Sequence, residues 1–485
     1  MAFNSSLFLL YFLPVFLAVY FLLPGKSRNL FLMIVSVLFY SWGAPGFVVV
    51  LALSVILDFI LLREMQRHEG RVRSLLFWHS VVLNVGLLLY FKYTNFFFVQ
   101  LNIGFGWFGI PPAKWVEVAL PIGISFITFQ KLACTFDVYK KRFPGFKRFT
   151  DYALYIFMFP QLLAGPIIRP GQIAGQIADR SSTSTIDHKL NGFYRFIIGL
   201  AKKVLIADIL STTVNAIFVL DPSQLSTGIA WIGAITYSFQ IYFDFSGYSD
   251  MAIGLALMAG FKLPENFNSP YLSRSITEFW RRWHITLSFW FRDYIFLPLA
   301  YSISRKLPKE QYYGIRADKV IYLIATSVTF FLCGLWHGAA WTFIAWGIYQ
   351  GIFLICDRLF LLRFLKKIKK APATLITFFL LTIGWVIFRS ASLHMAAIFL
   401  VKMFSFSGGI NDIWLHPKFW TVLVIAVIFS FWSGYKKIEQ WINRIYHSPS
   451  NTILIIMTLL SILLLIICEA NINATGFSPF IYFRF

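Results

Sequence analysis

Two histidines carry the reactive chemistry legible in this chain. His337 lies in "GLWHGAAW" (334–341), inside the greasy run "FFLCGLWHGAAWTFIAWG" of residues 330–347. His284 lies in "SITEFWRRWHITLSFWFRD" (275–293). An imidazole titrates near neutrality and is the commonest proton-transfer group in catalysis. At membrane depth an ionisable side chain is expensive and faces a cavity or a partner. Glycines at 334 and 338 bracket His337, permitting close backbone approach or a broken helix. A helix end with freed backbone amides beside an imidazole makes a workable reactive centre. The competing reading of His337 is a core histidine hydrogen-bonded across helices.

Around His284 the polar residues crowd together. Residues 240–300 hold Asp244, Asp250, Glu265, Glu278 and Asp293, with Arg274, Arg281, Arg282 and Arg292. On a helix beginning at Ser275, positions Thr277, Arg281, His284, Ser288 and Arg292 share one face by i, i+3 and i+4 spacing. Phe279, Trp283, Trp290 and Ile295 occupy the other side. A segment this amphipathic lies at an interface or lines a wet cavity within protein; a lipid-exposed span is excluded. The alternative is a solvated loop helix whose charges pair with one another.

Composition says what must position these groups. Of 485 residues, 58% are hydrophobic and 13% charged, and the mean hydropathy is +0.70. A soluble chain carries about 25% charged residues, so water is not the main solvent. The fold class is all-α, polytopic and membrane-integral. Runs long enough to cross a bilayer start near 6, 47, 74, 117, 151, 226, 318, 339, 371, 419 and 452. Shorter or charge-interrupted segments at 29–42, 94–103, 191–218, 246–261, 275–300 and 394–405 suit re-entrant or interfacial helices. About 10–13 full spans are expected.

The net charge of +22 comes from 43 basic and 21 acidic residues. The basic residues sit between apolar runs in short clusters at 63–73, 140–148, 305–310 and 357–370, the pattern of orienting cytoplasmic loops and not of nucleic-acid binding. With Lys26, Arg28, the 301–319 segment and Lys436/Lys437 also inside, both termini fall outside. The first run, 6–24, follows no basic residue and shows no small-residue cleavage site, so it reads as a retained span. Cys134, Cys333, Cys356 and Cys468 show no CxxC spacing and suit buried packing. No repeat or linker is visible, and no metal site. A single integral domain over 1–485 is expected, with N-terminal helices in 1–115, a catalytic core in 116–357 and C-terminal helices in 358–485.

Several stretches together resemble the membrane-bound O-acyltransferase (MBOAT) superfamily, nearest its bacterial alginate O-acetylation branch. They are "YFDFSGYSDMAIGLALMAGF", "ENFNSPY", "SITEFWRRWHITLSFWFRDYIFLPL" and "GLWHGAAWTFIAWG", preceded by "YFKYTNFF" (90–97), "LPIGISFITFQ" (120–130) and "FPQLLAGPIIRP" (159–170). The resemblance runs across essentially the whole chain. It implies helices around a tunnel through the membrane, and acyl transfer from a cytoplasmic thioester to a hydroxyl presented from the other side. The family's motif histidine falls on His337 and its second position on His284. Two departures stand out: Ala340 replaces a usual Asn, and "AYSISRKLPKEQYYG" follows "RDYIFLPL" where a Gly-Gly-Asn-Arg stretch is common.

Chemistry and resemblance combine into one expectation. Acyl transfer needs a base for the attacking hydroxyl and stabilisation of the oxyanion. His337 is expected to be the base, and His284 to orient substrate or polarise the thioester. Asp244, Asp250, Asn266 and Asn268 would shape the tunnel, with Trp283 and Trp336 beside the histidines and Arg292 and Asp293 as anion-positioning and structural partners. Arg274, Arg281, Arg282 and Lys306 would attract the phosphates of acetyl-coenzyme A or another acyl thioester, a donor substrate and not a bound cofactor. The setting would be the bacterial inner membrane, with an exported SGNH or esterase-like partner, or polysaccharide machinery, receiving the acetyl group. Alginate, cellulose, another exopolysaccharide, peptidoglycan and a teichoic acid D-alanyl ester are all compatible with these motifs. A secondary transporter or lipid flippase, and a platform subunit without chemistry, are the competing classes. The expected mechanism requires a watery passage that reaches both imidazoles.

Overall fold

Helices make up nearly all the regular structure. Among the described residues the strands are one two-residue pair, Gln311–Tyr312 against Ile315–Arg316. The structure is a computed structural model that describes residues 2–481 apart from 164, 313, 407, 410–414, 416, 436, 438, 439, 442, 443, 445–449 and 477. Lys436 and the last four residues of "SPFIYFRF" therefore lie outside the described residues.

Six helices are long and apolar enough to cross a membrane: Pro45–Arg67, Gly70–Trp107, Ala317–His337, Lys370–Arg389, Pro417–Gly434 and Asn451–Thr475. Each begins within a few residues of an expected run. Leu7–Leu22 is a shorter apolar helix at the first of them. The helix Thr227–Met258 has the length to span but carries Gln240, Asp244 and Asp250 along it.

Three local expectations need correction. The segment at 94–103 is no separate element but the continuation of the 38-residue helix Gly70–Trp107. The run from 117 does not begin as a helix: residues 110–121 are irregular, and the helix there is Ile124–Tyr139. Two asparagines hold that irregular chain. Asn102 exchanges both hydrogen bonds with the Ala113 backbone at 2.8 and 3.1 Å, and Asn95 does the same with Val118 at 2.9 Å. Their spacing puts them two turns apart on one face, where each amide supplies the partners a neighbouring strand would supply. The run from 151 breaks too. Its helix ends at Phe157 and a short one restarts at Phe159–Leu162, because Pro160 has no N–H to continue the first ladder.

The chain divides into two compact units, Met1–Phe196 with Met251–Pro264, and Ile197–Asp250 with Glu265–Phe485. In the first, the fully buried Asp58 on Pro45–Arg67 ties several helices together. It accepts hydrogen bonds from Ser80, from Asn84 at 3.0 Å and from Tyr152. Lys131 donates to the Ser54 carbonyl and hydroxyl at 3.2 and 3.1 Å. Without water, polar groups at this depth have to find such partners inside the protein.

In the second unit the helices Ala317–His337 and Trp341–Cys356 form a tight hairpin. A Cβ on Gly334 would stand 2.5 Å from the Phe343 carbonyl oxygen, and one on Gly347 would stand 2.4 Å from that of Phe330. Only glycine lets the two backbones approach this closely. Gly247, on Thr227–Met258, meets the Gly199 carbonyl in the same way at 2.8 Å, which fixes the helix that carries Asp244.

Candidate active site

His337 is the last residue of its helix. Gly338 is extended, Ala340 caps the next helix without a side-chain hydrogen bond, and Trp341 opens it. A Cβ on Gly338 would lie 2.2 Å from the Phe343 ring, so the break needs this glycine for space. The departure at Ala340 also acquires a physical meaning. Asn is a favoured helix cap and Ala is not, so a cap is missing from this position.

The continuous amphipathic helix expected from Ser275 is broken. Short helices run over Ile276–Phe279 and Ile285–Phe291, and the chain turns between them. His284 sits at the end of that turn with φ +42°, the left-handed region that side chains rarely occupy. Such a conformation costs about 1–3 kcal/mol and persists where the surroundings over-determine it. Asn266 does so here. Its carbonyl accepts from Ile285 N at 2.9 Å, and its Oδ1 accepts from Thr286 Oγ1 at 2.9 Å and Thr286 N at 3.3 Å. Asn268 N donates to the Arg282 carbonyl at 2.9 Å, closing the other side of the turn.

These contacts also fix the imidazole. Because Asn266 Oδ1 takes a backbone N–H it is the acceptor, so His284 Nδ1, 3.0 Å away, donates to it. The lone pair is then on Nε2, which accepts and does not donate. His284 lies outside the six spans, and burial pushes its pKa down to about 3. It is neutral at physiological pH.

Trp336 brings the two histidines together. Its ring centroid is 6.1 Å from that of His284 and 4.8 Å from that of His337. His337 further meets Trp346 at 4.8 Å and Phe388 at 5.3 Å, and His284 meets Phe245 edge-on at 4.6 Å. Trp283 belongs to the same aromatic wall, 5.0 Å from Trp385 and 5.1 Å from Phe267.

Four of the five residues expected on one face, Thr277, Arg281, Ser288 and Arg292, line a cavity of about 490 Å³ with Trp280, Phe330 and Cys333. His284 has left that face because of the break. The passage expected to reach both imidazoles is not open in this structure. His284 is 0% exposed and His337 3%, and neither lines the cavity. Cys333 is one helical turn below His337, and Trp280 and Trp346 stand in between, 5.9 Å apart.

Most of the other expected charged residues are ion-paired, and so is Arg292. Arg292 pairs with Asp293 at 2.6 Å. Asp250 pairs with Lys202 at 2.6 Å, and Asp244 binds Lys203 at 2.6 Å and the Ile481 amide at 2.9 Å. Arg282 is held by Glu278 at 2.9 Å. Sequence reasoning missed Asp357, whose carboxylate accepts from Thr277 N at 2.8 Å and anchors the broken segment. It also missed Lys203, Asp208, Gln240 and Arg389. A lysine and an aspartate inside the apolar stretch 191–218 were the available signal for the first two.

A sequence model of the MBOAT, membrane-bound O-acyltransferase family matches residues 136–397, which contain both histidines, Asn266 and the 490 Å³ cavity. The chain belongs to the membrane-bound O-acyltransferase family. It is similar to a protein named probable alginate O-acetylase from Azotobacter vinelandii, 36% identical over 516 residues covering 100% of both chains. The peptidoglycan O-acetyltransferase of Helicobacter pylori is 33% identical over 540 residues, 100% of this chain and 97% of the relative. The teichoic acid D-alanyltransferase of Bacillus subtilis is 29% identical over 293 residues, 56% of this chain and 69% of the relative. This MBOAT protein is thus a multi-pass membrane O-acyltransferase, and the transporter and platform classes fall away.

Proposed function

We propose that this MBOAT protein moves an acetyl group from a cytoplasmic thioester, acetyl-coenzyme A or a similar donor, to a hydroxyl presented on the outer side of the bacterial inner membrane. The acceptor is an exported polysaccharide or an exported esterase-like protein that passes the group on. The observation that carries the reading is the pairing of two imidazoles across Trp336, at a helix break one turn above an arginine-lined cavity. Basic residues precede the span Ala317–His337, so by the positive-inside rule the cavity end faces the cytoplasm and His337 the far side. The same counting puts both termini outside.

In this mechanism the acyl arm of the donor enters past Arg281 and Arg292, whose guanidiniums suit phosphate. His337 takes the proton of the acceptor hydroxyl as its oxygen attacks the thioester carbonyl. The C–O bond forms, the C–S bond breaks, and the proton passes to the departing thiolate. His284 orients the acceptor through a second, non-reacting donor beside the attacking hydroxyl: a neutral ring protonated at Nδ1 can accept a hydrogen bond at Nε2 but cannot polarise a carbonyl. Reaching His337 requires Trp280 or Trp346 to swing aside, so donor binding and opening are one event.

The test uses purified full-length protein in detergent, where transport is impossible, with release of free thiol from acetyl-coenzyme A and acetylated product both measured. Loss of a general base lowers the rate by about 10²–10⁴, the effect expected of His337→Gln in protein that remains monodisperse on size exclusion. Wild-type transfer by that variant removes His337 from the mechanism.

A further inference from the structure

The second unit holds another polar site, which the acyl-transfer reading does not use. A cavity of about 70 Å³ is lined by Lys203, Asp208, Asn215, Gln240, Asp244 and Arg389, and closed on one side by residues 478–481. At roughly 10–15 Å³ per water, that is room for about five waters or for the hydroxyl-bearing edge of a sugar ring.

Its floor is charged but balanced. Lys203, 3% exposed, bonds Asp208 at 2.7 Å and Asp244 at 2.6 Å. Arg389 donates to Asn215 Oδ1 at 2.9 Å. Two cations face two carboxylates, so the cavity has no net pull on a phosphate or a carboxylate. The closing wall is pinned to the same floor, with Lys203 donating to the Pro479 carbonyl at 3.3 Å and Asp244 accepting from Ile481 N.

Gln240 shows what is wanted. Its side chain is 8% exposed and its Oε1 is buried with no hydrogen-bond partner among the described residues. A buried acceptor left unmatched is costly. It calls for a group that donates a hydrogen bond, as a sugar hydroxyl does.

The cavity is also well placed. Arg389 ends the helix Lys370–Arg389, whose other end follows Lys366, Lys367 and Lys369, so the positive-inside rule sets Arg389 on the outer side. The preceding residue, Phe388, packs on His337 at 5.3 Å. The helix Lys370–Arg389 therefore carries, in consecutive residues, one that lines the cavity and one that packs on that imidazole.

We propose that this cavity binds the hydroxyl edge of a neutral saccharide acceptor, with Gln240 as the recognising group, and so places a sugar hydroxyl near Phe388 for delivery to His337. The proposal rests on the acyl-transfer reading and adds the acceptor class to it.

The experiment offers purified full-length protein acetyl-coenzyme A with either a tetramer of N-acetylglucosamine or a tetramer of mannuronate. It records acetylated sugar, donor hydrolysis to water, and the thermal shift each sugar gives the wild type. The neutral tetramer is expected to be acetylated with the lower KM and to stabilise the wild type. Gln240→Met, matched in bulk, should raise that KM about tenfold, the equivalent of one hydrogen bond, and shift the ratio of transfer to hydrolysis towards hydrolysis. Thr212→Ala, exposed on the neighbouring helix, should keep the wild-type KM.

An unchanged KM in Gln240→Met overturns the proposal, as does preference for mannuronate. A neutral tetramer that neither stabilises the wild type nor becomes acetylated overturns it without any variant, even if Gln240→Met does not fold. A wild type that leaves acetyl-coenzyme A intact defeats the acyl-transfer reading, and this inference with it, whereas hydrolysis without sugar transfer defeats the cavity assignment alone.

Discussion

Replacing Asn266 with alanine should release His284 while leaving both histidines in the chain. Asn266 is 1% exposed and its Oδ1 accepts from His284 Nδ1, Thr286 N and Thr286 Oγ1, while its Nδ2 donates to Ser249 at 3.1 Å. The two hydroxyls can rotate to other partners, but the imidazole N–H and the backbone N–H cannot. Each buried donor left unmatched costs about 1–3 kcal/mol, so the pair amounts to about 2–6 kcal/mol. The strain of the left-handed backbone at His284, about 1–3 kcal/mol, adds to that cost once the clamp that holds it is gone. The turn at 280–284 then relaxes and the ring leaves its place beside Trp336. All four cysteines are free thiols, three of them buried, so unfolding can be followed by their reaction with a fluorogenic maleimide on heating. Asn266→Ala should unfold at a clearly lower temperature and lose acyl transfer by about a hundredfold, the lower end of a proton-transfer contribution. Asn266→Asp, which keeps the accepting oxygen, should recover most of the thermal stability. An alanine variant with wild-type melting and rate would mean that the clamp positions nothing.

Two further outcomes are expected. Asp58→Ala takes the acceptor of the buried Tyr152 hydroxyl in the first unit, leaves Asn84 with only the Ser80 side of its pairing, and removes the carboxylate at the centre of the network. A hydrogen bond to a charged group is worth about 1.5–3 kcal/mol, so the variant should melt early in the same maleimide assay; melting like the wild type would contradict the hub. His284 supplies a pH dependence. Its pKa falls from an ordinary 6.5 to about 3 on folding, so the unfolded chain takes up the proton first as pH drops. The stability it supports is complete above about pH 6.5 and declines from there towards pH 3. Melting of the wild type should therefore drop between pH 7.5 and pH 5 by more than that of His284→Gln, and equal drops would place the ring in a wetter setting.

The break at His337 was legible because it is local. Gly334 and Gly338 sit within four residues of the ring, and a missing Cβ has the same steric meaning wherever the chain goes. His284 was legible as a residue but not as a place. The spacing of Thr277, Arg281, Ser288 and Arg292 correctly groups the cavity-lining side chains, yet the same spacing put His284 among them. Nothing in local propensity announces a histidine at φ +42°, because Asn266, 18 residues away, imposes it. The polar cavity was harder still. Lys203 meets Asp244 across 41 residues and the Pro479 carbonyl across 276.

Hydropathy and residue type alone determined that this protein dissolves in a membrane, where its main spans begin, and which two imidazoles could move a proton. Those follow from the solvent preference of each segment and from chemistry a side chain carries with it. Tertiary structure decided which residues share a cavity, which ring nitrogen of His284 holds its proton, and that tryptophans close the way to His337. Each of these depends on groups distant in the chain meeting within hydrogen-bonding or van der Waals range, and no periodicity along a single element encodes such a meeting.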